Sequence, residues 1–282
     1  MKNKICLITG ANAGIGKTTA LGLAKLGARV VMVSRNKEMG EEALKEIASE
    51  SGNENIDLLT ADLASFASIR KLAEEIRSRY DKLDVLINNA GIFMSELQYT
   101  EDKIEMQWGV NHLAPFLLTH LLMDTLKKAS SARIVNVSSR VHFRGVINFD
   151  DLNMTSRYDG LKAYSQSKLA NVLFTSELAE RLQGTGVTAN CLHPGGVRTH
   201  FVDKNASGIY KVGWILLKPF MISPSQGAET SVYLASSEEV EGVTGKYFDK
   251  CKPRRSSRIS YDKDVAKRLW EVSEELTADY TG

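Results

Sequence analysis

Short apolar runs recur along the chain and alternate with longer segments of mixed polarity. Six of these runs are rich in β-branched residues and show almost no polar alternation: residues 4–9, 28–34, 56–62, 83–89, 132–139 and 187–194. A strand covered on both faces, as in a parallel sheet, has this near-continuous apolar pattern. The runs therefore predict a buried parallel sheet.

The segments between the runs have the period of amphipathic helices. Residues 36–50 and 65–80 carry apolar residues at i, i+3 and i+4 with charged residues on the other face. Residues 245–249 predict one more strand, and residues 262–276 a final helix. No Pro- or Gly-rich linker interrupts the series, so residues 1–282 are expected to form a single α/β domain, a doubly wound parallel sheet of about seven strands. Ligands of such sheets bind beyond the carboxyl ends of the strands.

Composition excludes several classes of function. The 282 residues are 43% hydrophobic and 25% charged, and the net charge of +2 gives no electrostatic case for binding nucleic acid. Cys6, Cys191 and Cys251 are too far apart to predict a disulfide framework or a zinc site. Residues 1–10 run directly into the first strand, and the apolar stretch 212–222 is broken by a Lys-Pro pair. We therefore expect no signal peptide, no transmembrane segment and a cytoplasmic location.

A glycine-rich stretch, TGANAGIGKTTA at residues 9–20, has two interpretations. Ala11 to Thr18 is one residue short of a P-loop, because Ala11 stands where the first glycine belongs. Shifted by one residue, Gly10, Gly14 and Gly16 form a turn suited to a dinucleotide pyrophosphate. A P-loop ATPase also needs an Asp at a strand end to hold magnesium, and Asp62 could serve. This stretch alone leaves both interpretations open.

Arg35 favours a phosphorylated dinucleotide. It follows the second predicted strand, nineteen residues after Gly16, where a dinucleotide fold places the group that recognises the ribose. An Arg in this position can form bidentate, charge-assisted bonds to a 2′-phosphate. If it is more than a solvated arginine at a strand end, it predicts NADP(H) rather than NAD.

Candidate chemistry lies in Tyr164 and Lys168, which are four residues apart on one predicted helix face. A nearby cation favours the tyrosine phenolate, and lowering the pKa by about 3 units requires roughly 4 kcal/mol. Ser138 and Ser139 end the fifth strand, and one of their hydroxyls could hold a carbonyl group beside Tyr164. A pair of serines at a strand end is also common turn chemistry.

Taken in order, the motifs TGANAGIG, DL at 62–63, NNAG at 88–91, VNHLAPF, VSS, YSQSK and HPGGVRT resemble the short-chain dehydrogenase/reductase family over almost the whole chain. The resemblance implies a Rossmann-type fold, favours the dinucleotide over the ATPase, and assigns Tyr164 as the general acid/base. Lys168 would bind the nicotinamide ribose and lower the tyrosine pKa, Ser139 rather than Ser138 would orient the carbonyl, and Asn111 would hold a proton-relay water.

The resemblance also implies the residues that bind NADP(H). They fall into four groups: the turn at Gly10, Asn12, Gly14, Ile15 and Gly16 with Arg35; the adenine contacts Asp62 and Leu63; the cleft residues Asn88, Ala90 and Gly91; and the nicotinamide contacts Tyr164, Lys168, Pro194, Gly195, Val197 and Thr199.

A finer resemblance connects the chain to the branch of retinol dehydrogenases and the WW-domain oxidoreductase, through residues 147–153, 166–182 and 245–252. It implies a small-molecule substrate that is an apolar carbonyl compound or alcohol. The apolar stretch at about 199–226 directly follows the nicotinamide contacts and is expected to form a lid over the substrate. The family resemblance also implies a possible homodimer through two long central helices. The alternative is a non-catalytic NADP(H)-sensing or scaffolding protein on the same fold.

Two further signals carry less weight. His112 and His120 have no companion ligands, so no metal site is expected. The basic segment 250–258 predicts a solvated loop, or alternatively a surface for an anionic lipid or a partner.

Overall fold

A computed structural model describes residues 1–197 and 221–281, and in these residues the apolar runs pair into one twisted sheet. The strands are β1 (Ile5–Thr9), β2 (Arg29–Ser34), β3 (Ile56–Thr60), β4 (Val85–Asn88), β5 (Arg133–Val137), β6 (Thr188–His193), β7 (Tyr247–Asp249) and β8 (Lys252–Arg254). Their order is β3-β2-β1-β4-β5-β6-β7-β8, and only β8 pairs antiparallel. The predicted single α/β domain with a doubly wound sheet is confirmed, and β8 is an addition to the seven expected strands.

Helices cover both faces of this sheet. They are α1 (Gly14–Lys25), α2 (Lys37–Ser51), α3 (Phe66–Arg79), α4 (Met106–Trp108), α5 (Ala114–Leu121), α6 (Met123–Lys127), α7 (Gly160–Arg181), α8 (Pro224–Ser236) and α9 (Lys263–Thr277). One core cluster joins the sheet to α1, α2 and α8, and a second joins it to α3, α5, α7 and α9. None of the helices in the described ranges is long and apolar enough to cross a membrane.

Helix α7 begins where its sequence provides a cap. The Asp159 side chain accepts hydrogen bonds from the backbone N–H groups of Leu161 and Lys162 at 3.0 and 3.1 Å. These bonds satisfy two of the donors that a helix leaves free at its start. The cap fixes the first turn of α7, and Tyr164 follows in the second.

A π-helical turn, Gly109–Leu113, separates α4 from α5. Such turns insert one residue into the helical ladder and are frequent at functional sites. Asn111 lies inside it, and its usual α-helical donor would be the N–H of residue 115, which is a proline. The Asn111 carbonyl therefore lacks an α-helical donor, which the sequence pattern alone did not indicate.

The C-terminal helix α9 packs on the outward side of α5 and α7. The Trp270 ring lies 5.0 Å from the Phe116 ring and 5.9 Å from the Phe174 ring, measured between centroids. The Ser273 hydroxyl is hydrogen-bonded to Nε2 of buried His112 at 2.9 Å. The chain's own helix thus covers part of the surface of α5 and α7.

Candidate active site

The glycine turn after β1 is too tight for side chains. Gly10 and Gly14 have φ angles of +67° and +55°, in the left-handed region. A Cβ atom on Gly16 would lie 2.2 Å from the Gly10 carbonyl oxygen and 2.4 Å from Nδ2 of Asn89. Helix α1 starts at this turn, and its N-cap residue, Ala13, provides no side chain to accept hydrogen bonds from the first N–H groups. The backbone therefore offers an anion uncapped donors at a helix N-terminus, which fits a dinucleotide pyrophosphate.

Asn89 binds this turn to the end of β4. Its Nδ2 donates to the Thr9 carbonyl at 2.8 Å, and the Thr9 hydroxyl accepts from the N–H groups of Asn89 and Ala90, each at 3.0 Å. By contrast, the Asn88 side chain is buried and donates to the Thr119 hydroxyl and to Asn136. Asn89 is thus the side chain that supports the cleft, and Asn88, which was expected to line it, faces the core. Since Asn88 is the last residue of β4, strand alternation was the signal that could have separated the two.

The adenosine end of the expected site is also assembled here. The Ala11 N–H donates to the Val33 carbonyl at 3.1 Å, which ties the glycine turn to β2. Arg35 follows β2 directly, and its side chain is exposed. Asp62 and its half-buried neighbour Leu63 follow β3, where the Asp62 carboxylate accepts from the Ala64 N–H at 2.9 Å. Asn12 and Ile15 are half-buried in the turn itself.

At the end of β5 the structure distinguishes the two serines. The Ser138 hydroxyl is buried and donates to the Lys168 carbonyl of α7 at 2.7 Å. The Ser139 hydroxyl lies close enough to the Tyr164 hydroxyl to lower its pKa. The Phe93 ring stands edge-on to the Tyr164 ring, 5.9 Å away between centroids. Ser139 and Tyr164 thus form a pair of hydroxyls next to an apolar wall.

Lys168 lies below this pair and is almost fully buried. Its Nζ donates to the Val137 carbonyl at 3.0 Å and stands 5.7 Å from the centre of the Tyr164 ring. A Cβ atom on Gly91 would lie 3.3 Å from this Nζ and 3.2 Å from Oδ1 of Asn111. The absence of a side chain at Gly91 therefore leaves the ammonium group open towards the cleft.

The electrostatics of the protein alone favour the protonated phenol. Burial raises the pKa of Tyr164 above its ordinary value, and the hydrogen bond with Ser139 lowers it by less. Burial lowers the pKa of Lys168 to about 8. The sequence led us to expect a lowered tyrosine pKa, and the difference arises because desolvation of the phenolate outweighs the hydrogen bond from Ser139.

Asn111 fixes the chain that borders the site. Its Oδ1 accepts from the Ile92 N–H at 2.7 Å, while its Nδ2 donates to the Ile92 carbonyl and to the Ser167 hydroxyl, each at 3.0 Å. This side chain therefore clamps the segment after Gly91 to α7.

The remaining predicted contacts follow β6. Pro194 and Gly195 are half-buried, and Gly195 has a φ of +93°. Val197 forms a parallel bridge with Ile222. The two described ranges, 1–197 and 221–281, therefore meet at this bridge, just after the end of β6. Thr199 and most of the expected lid lie outside the described residues. The predicted end of the lid at 226 falls inside α8, which begins at Pro224 behind a capping box made by Ser223 and Gln226.

Histidine chemistry does not compete with this site. Burial lowers the pKa of His112 to about 3, so its ring is neutral in the core. Across residues 1–197 and 221–281, no three His, Cys, Asp or Glu side chains are grouped so as to hold a metal ion.

Comparison with known proteins gives one consistent result. A model of the short chain dehydrogenase family matches residues 4–209. The chain is 46% identical to human (Homo sapiens) retinol dehydrogenase 14 and 47% identical to mouse (Mus musculus) retinol dehydrogenase 12. Each alignment covers 97% of this chain and 86% of the relative.

Solved structures show the same likeness. An uncharacterized protein from Mycobacterium paratuberculosis is 36% identical with a TM-score of 0.80, covering 98% of this chain and 94% of that one. A short chain dehydrogenase from Shigella flexneri complexed with NADP is 25% identical with a TM-score of 0.71, covering 89% of this chain and 98% of that one.

Proposed function

Because the chain belongs to the short-chain dehydrogenase family, whose members are oxidoreductases of CH–OH and C=O groups, we propose that it uses NADP(H) to interconvert an apolar carbonyl compound and its alcohol. The observation that carries the proposal is the approach of the Ser139 and Tyr164 hydroxyl groups to each other beside buried Lys168. To be reduced, a carbonyl group needs one hydrogen-bond donor that orients its oxygen and a second that protonates it. Two adjacent hydroxyl groups can supply both donors.

Each side chain has a distinct part in this reaction. Bound NADP(H) supplies or accepts the hydride. The Ser139 hydroxyl donates to the carbonyl oxygen and orients it, and Tyr164 gives that oxygen a proton in reduction or removes one in oxidation. A raised pKa keeps the phenol protonated, which suits it to act as the acid in reduction. After Tyr164 gives up its proton in reduction, it must be protonated again. Lys168 and the Asn111 carbonyl lie along the proposed path of that proton.

The choice of NADP(H) over NAD(H) depends on Arg35. Its exposed guanidinium stands at the end of β2, which the glycine turn contacts through Ala11. Each charge-assisted bond to a 2′-phosphate contributes roughly 1.5–3 kcal/mol, or about tenfold or more in affinity. The NADP complex of the Shigella flexneri structure supports this choice.

An apolar substrate is supported by the wall beside Tyr164. The buried Phe93 ring lies against the Tyr164 ring, and a phenyl side chain offers no hydrogen bond to a polar substrate. The relatives are named for retinol, an apolar alcohol. Residues 199–220, which we propose as a substrate lid, are rich in apolar residues.

The test is a series of straight-chain aldehydes assayed with NADPH and with NADH. Each buried methylene contributes about 0.8 kcal/mol, so three more carbons should raise kcat/KM roughly 50-fold. Trp214→Ala in the proposed lid should flatten the rise. Arg35→Asp should reverse or abolish the preference for NADPH, while Lys25→Asp, the same charge change at the far end of α1, should not.

Three results would contradict the proposal in different ways. A flat aldehyde series, or a preference for sugars, would rule out an apolar substrate but would still be consistent with the proposed oxidoreductase reaction. Equal use of both cofactors by the wild type would remove the role of Arg35. No turnover of any carbonyl compound, with NADPH still bound, would favour the NADP(H)-sensing scaffold.

A further inference from the structure

A positively charged surface with exposed apolar side chains lies beside the active site, and the proposed reaction makes no use of it. We define this basic face by residues 143–146 and 250–258. Five cations in the second stretch are exposed: Lys250, Lys252, Arg254, Arg255 and Arg258. Residues 250–261 contain no Asp or Glu. None of the five cations forms an ion pair with a carboxylate of residues 1–197 or 221–281.

The two stretches belong to one rigid surface. The His142 ring lies 4.7 Å from the Tyr247 ring of β7, and its Nε2 accepts from the Ser257 N–H at 3.1 Å. The Phe143 ring lies 4.2 Å from the His142 ring, tilted against it, and 6.4 Å from the Tyr247 ring, measured between centroids. The turn that follows Ser139 therefore contacts β7, which pairs with β8, and is hydrogen-bonded to Ser257 near the end of the basic stretch.

Strand register places the cations on the same side as Phe143. Tyr247 pairs with Arg254, and Asp249 pairs with Lys252. Residues directly opposite each other in an antiparallel pair project from the same face of the sheet. Since Tyr247 meets the ring of Phe143 on that face, Lys252 and Arg254 project beside the aromatic side chain.

The apolar side chains decide what kind of partner fits. Phe143 is 50% exposed and Val146 is 66% exposed, which is unusual for large apolar residues on a fixed turn. Gly145 packs between them against Ser165 of α7, where a Cβ atom would lie 2.5 Å from the carbonyl oxygen. The backbone is thus held close to α7 while its two neighbours point outwards.

We propose that the basic face is a docking surface for an anionic lipid bilayer. Lys and Arg side chains attract acidic headgroups, and exposed Phe and Val side chains bury hydrocarbon at the boundary of the acyl chains. Positive charge on an edge strand such as β8 also prevents edge-to-edge pairing, but that account explains neither Phe143 and Val146 nor Arg255 and Arg258. Nucleic acid would satisfy the charges and leave the apolar side chains in water.

The docked orientation has a consequence for access to the site. The turn of residues 143–146 begins four residues after Ser139, at the same edge of the sheet as Tyr164. A bilayer held against the basic face therefore lies next to the entrance to the hydroxyl pair. Lipid-dissolved molecules could then reach the site without crossing bulk water.

The experiment is sedimentation of the full chain with two kinds of vesicle. One contains phosphatidylcholine alone, and the other contains about 30% phosphatidylserine, which gives it a negative surface potential like that of a cytoplasmic membrane leaflet. We expect salt-sensitive binding to the acidic vesicles only. Lys252→Gln/Arg254→Gln should weaken it roughly 25-fold, since each cation contributes about fivefold. Phe143→Ser should weaken it about tenfold through the lost apolar contact. Lys45→Gln/Lys71→Gln, two exposed cations on α2 and α3, is the matched control and should have no effect.

Several outcomes overturn the proposal, and none depends on enzyme activity. They are absent binding, equal binding to both kinds of vesicle, or an equal loss in the control pair. A single-stranded oligonucleotide provides the other test. If it binds more tightly than acidic vesicles, and Phe143→Ser leaves vesicle binding intact, the face binds nucleic acid instead.

Discussion

The Ser139 side chain lies close enough to the Tyr164 hydroxyl to lower its pKa, although Ser139 lies two residues beyond strand β5 and Tyr164 in the second turn of helix α7. Two fixed contacts hold these elements together: Ser138 donates to the Lys168 carbonyl, and Lys168 donates to the Val137 carbonyl. Strand and helix are thus bonded in both directions just below the hydroxyl pair. The geometry of the pair is set by the backbone and does not depend on a flexible loop.

Tyr164→Phe should abolish proton transfer and leave cofactor binding nearly unchanged. A general acid contributes about 10²–10⁴-fold, so kcat should fall by at least the lower figure while the Kd for NADPH changes little. Tyr99→Phe, at an exposed position away from the pair, is the control and should retain wild-type kcat. If Tyr164→Phe kept more than a tenth of the activity, another group would have to be the acid.

Burial of Lys168 should appear in the pH dependence of stability. Its folded pKa of about 8 lies below its ordinary value of 10.5, so the unfolded chain binds the extra proton between these values and the free energy of unfolding rises with pH. Relative to Lys168→Met, the wild type should therefore gain about 2 kcal/mol between pH 7 and pH 9.5. Urea unfolding of both proteins at the two pH values measures this difference.

The control for that measurement is Lys162→Met on the exposed side of the same helix. Other groups titrate over this range, and comparing each variant with the wild type removes their common contribution. A difference between wild type and Lys168→Met that stays constant with pH would show that the ammonium group is solvated. The same result in the Lys162 variant would show that the effect is not specific to burial.

Much of the fold could be predicted because burial on both faces leaves a clear mark on the sequence. The strands β1 to β6 coincide with apolar runs, and β7 with the run that ends at Asp249. Strand β8 could not be found in this way, since Lys252, Pro253 and Arg254 are exposed and have neither apolar alternation nor strong strand propensity. Its position depends on pairing with β7, which is a tertiary contact.

The site was predicted less evenly, for reasons that lie in local geometry. Residue types and spacing identified Tyr164 and Lys168 but could not tell Ser138 from Ser139, because the choice depends on which hydroxyl is bonded to α7. They also could not separate Asn88 from Asn89, since strand alternation sends one side chain to the core and the other to the turn. The π-helical turn at Asn111 has no sequence period of its own.

Gly16→Ala should disturb both stability and cofactor binding. The added Cβ would lie 2.2 Å from the Gly10 carbonyl oxygen, which is backbone and cannot move aside cheaply. We expect the midpoint of thermal unfolding to fall by several degrees and the affinity for NADPH to fall at least about tenfold. Gly196→Ala is the control for stability, since a Cβ there meets nothing within 4 Å. Unchanged NADPH affinity in Gly16→Ala would show that the turn does not hold the pyrophosphate.

Helix α9 should keep the protein monomeric. A partner that packed on α5 and α7 would have to displace the Trp270 ring, which lies against Phe116 and Phe174 and beneath the Arg181 guanidinium at 4.2 Å. Replacing a buried Trp by Ala costs about 3–5 kcal/mol, so this displacement is expensive. Sedimentation equilibrium at micromolar concentration should therefore give the mass of one chain, 31.2 kDa. Trp270→Ala should lower the free energy of unfolding by about 3–5 kcal/mol and should begin to self-associate through the uncovered face of α5 and α7. Glu274→Ala, an exposed position on the same helix, is the control and should do neither. A wild-type dimer that protects α5 and α7 from hydrogen exchange would contradict this prediction.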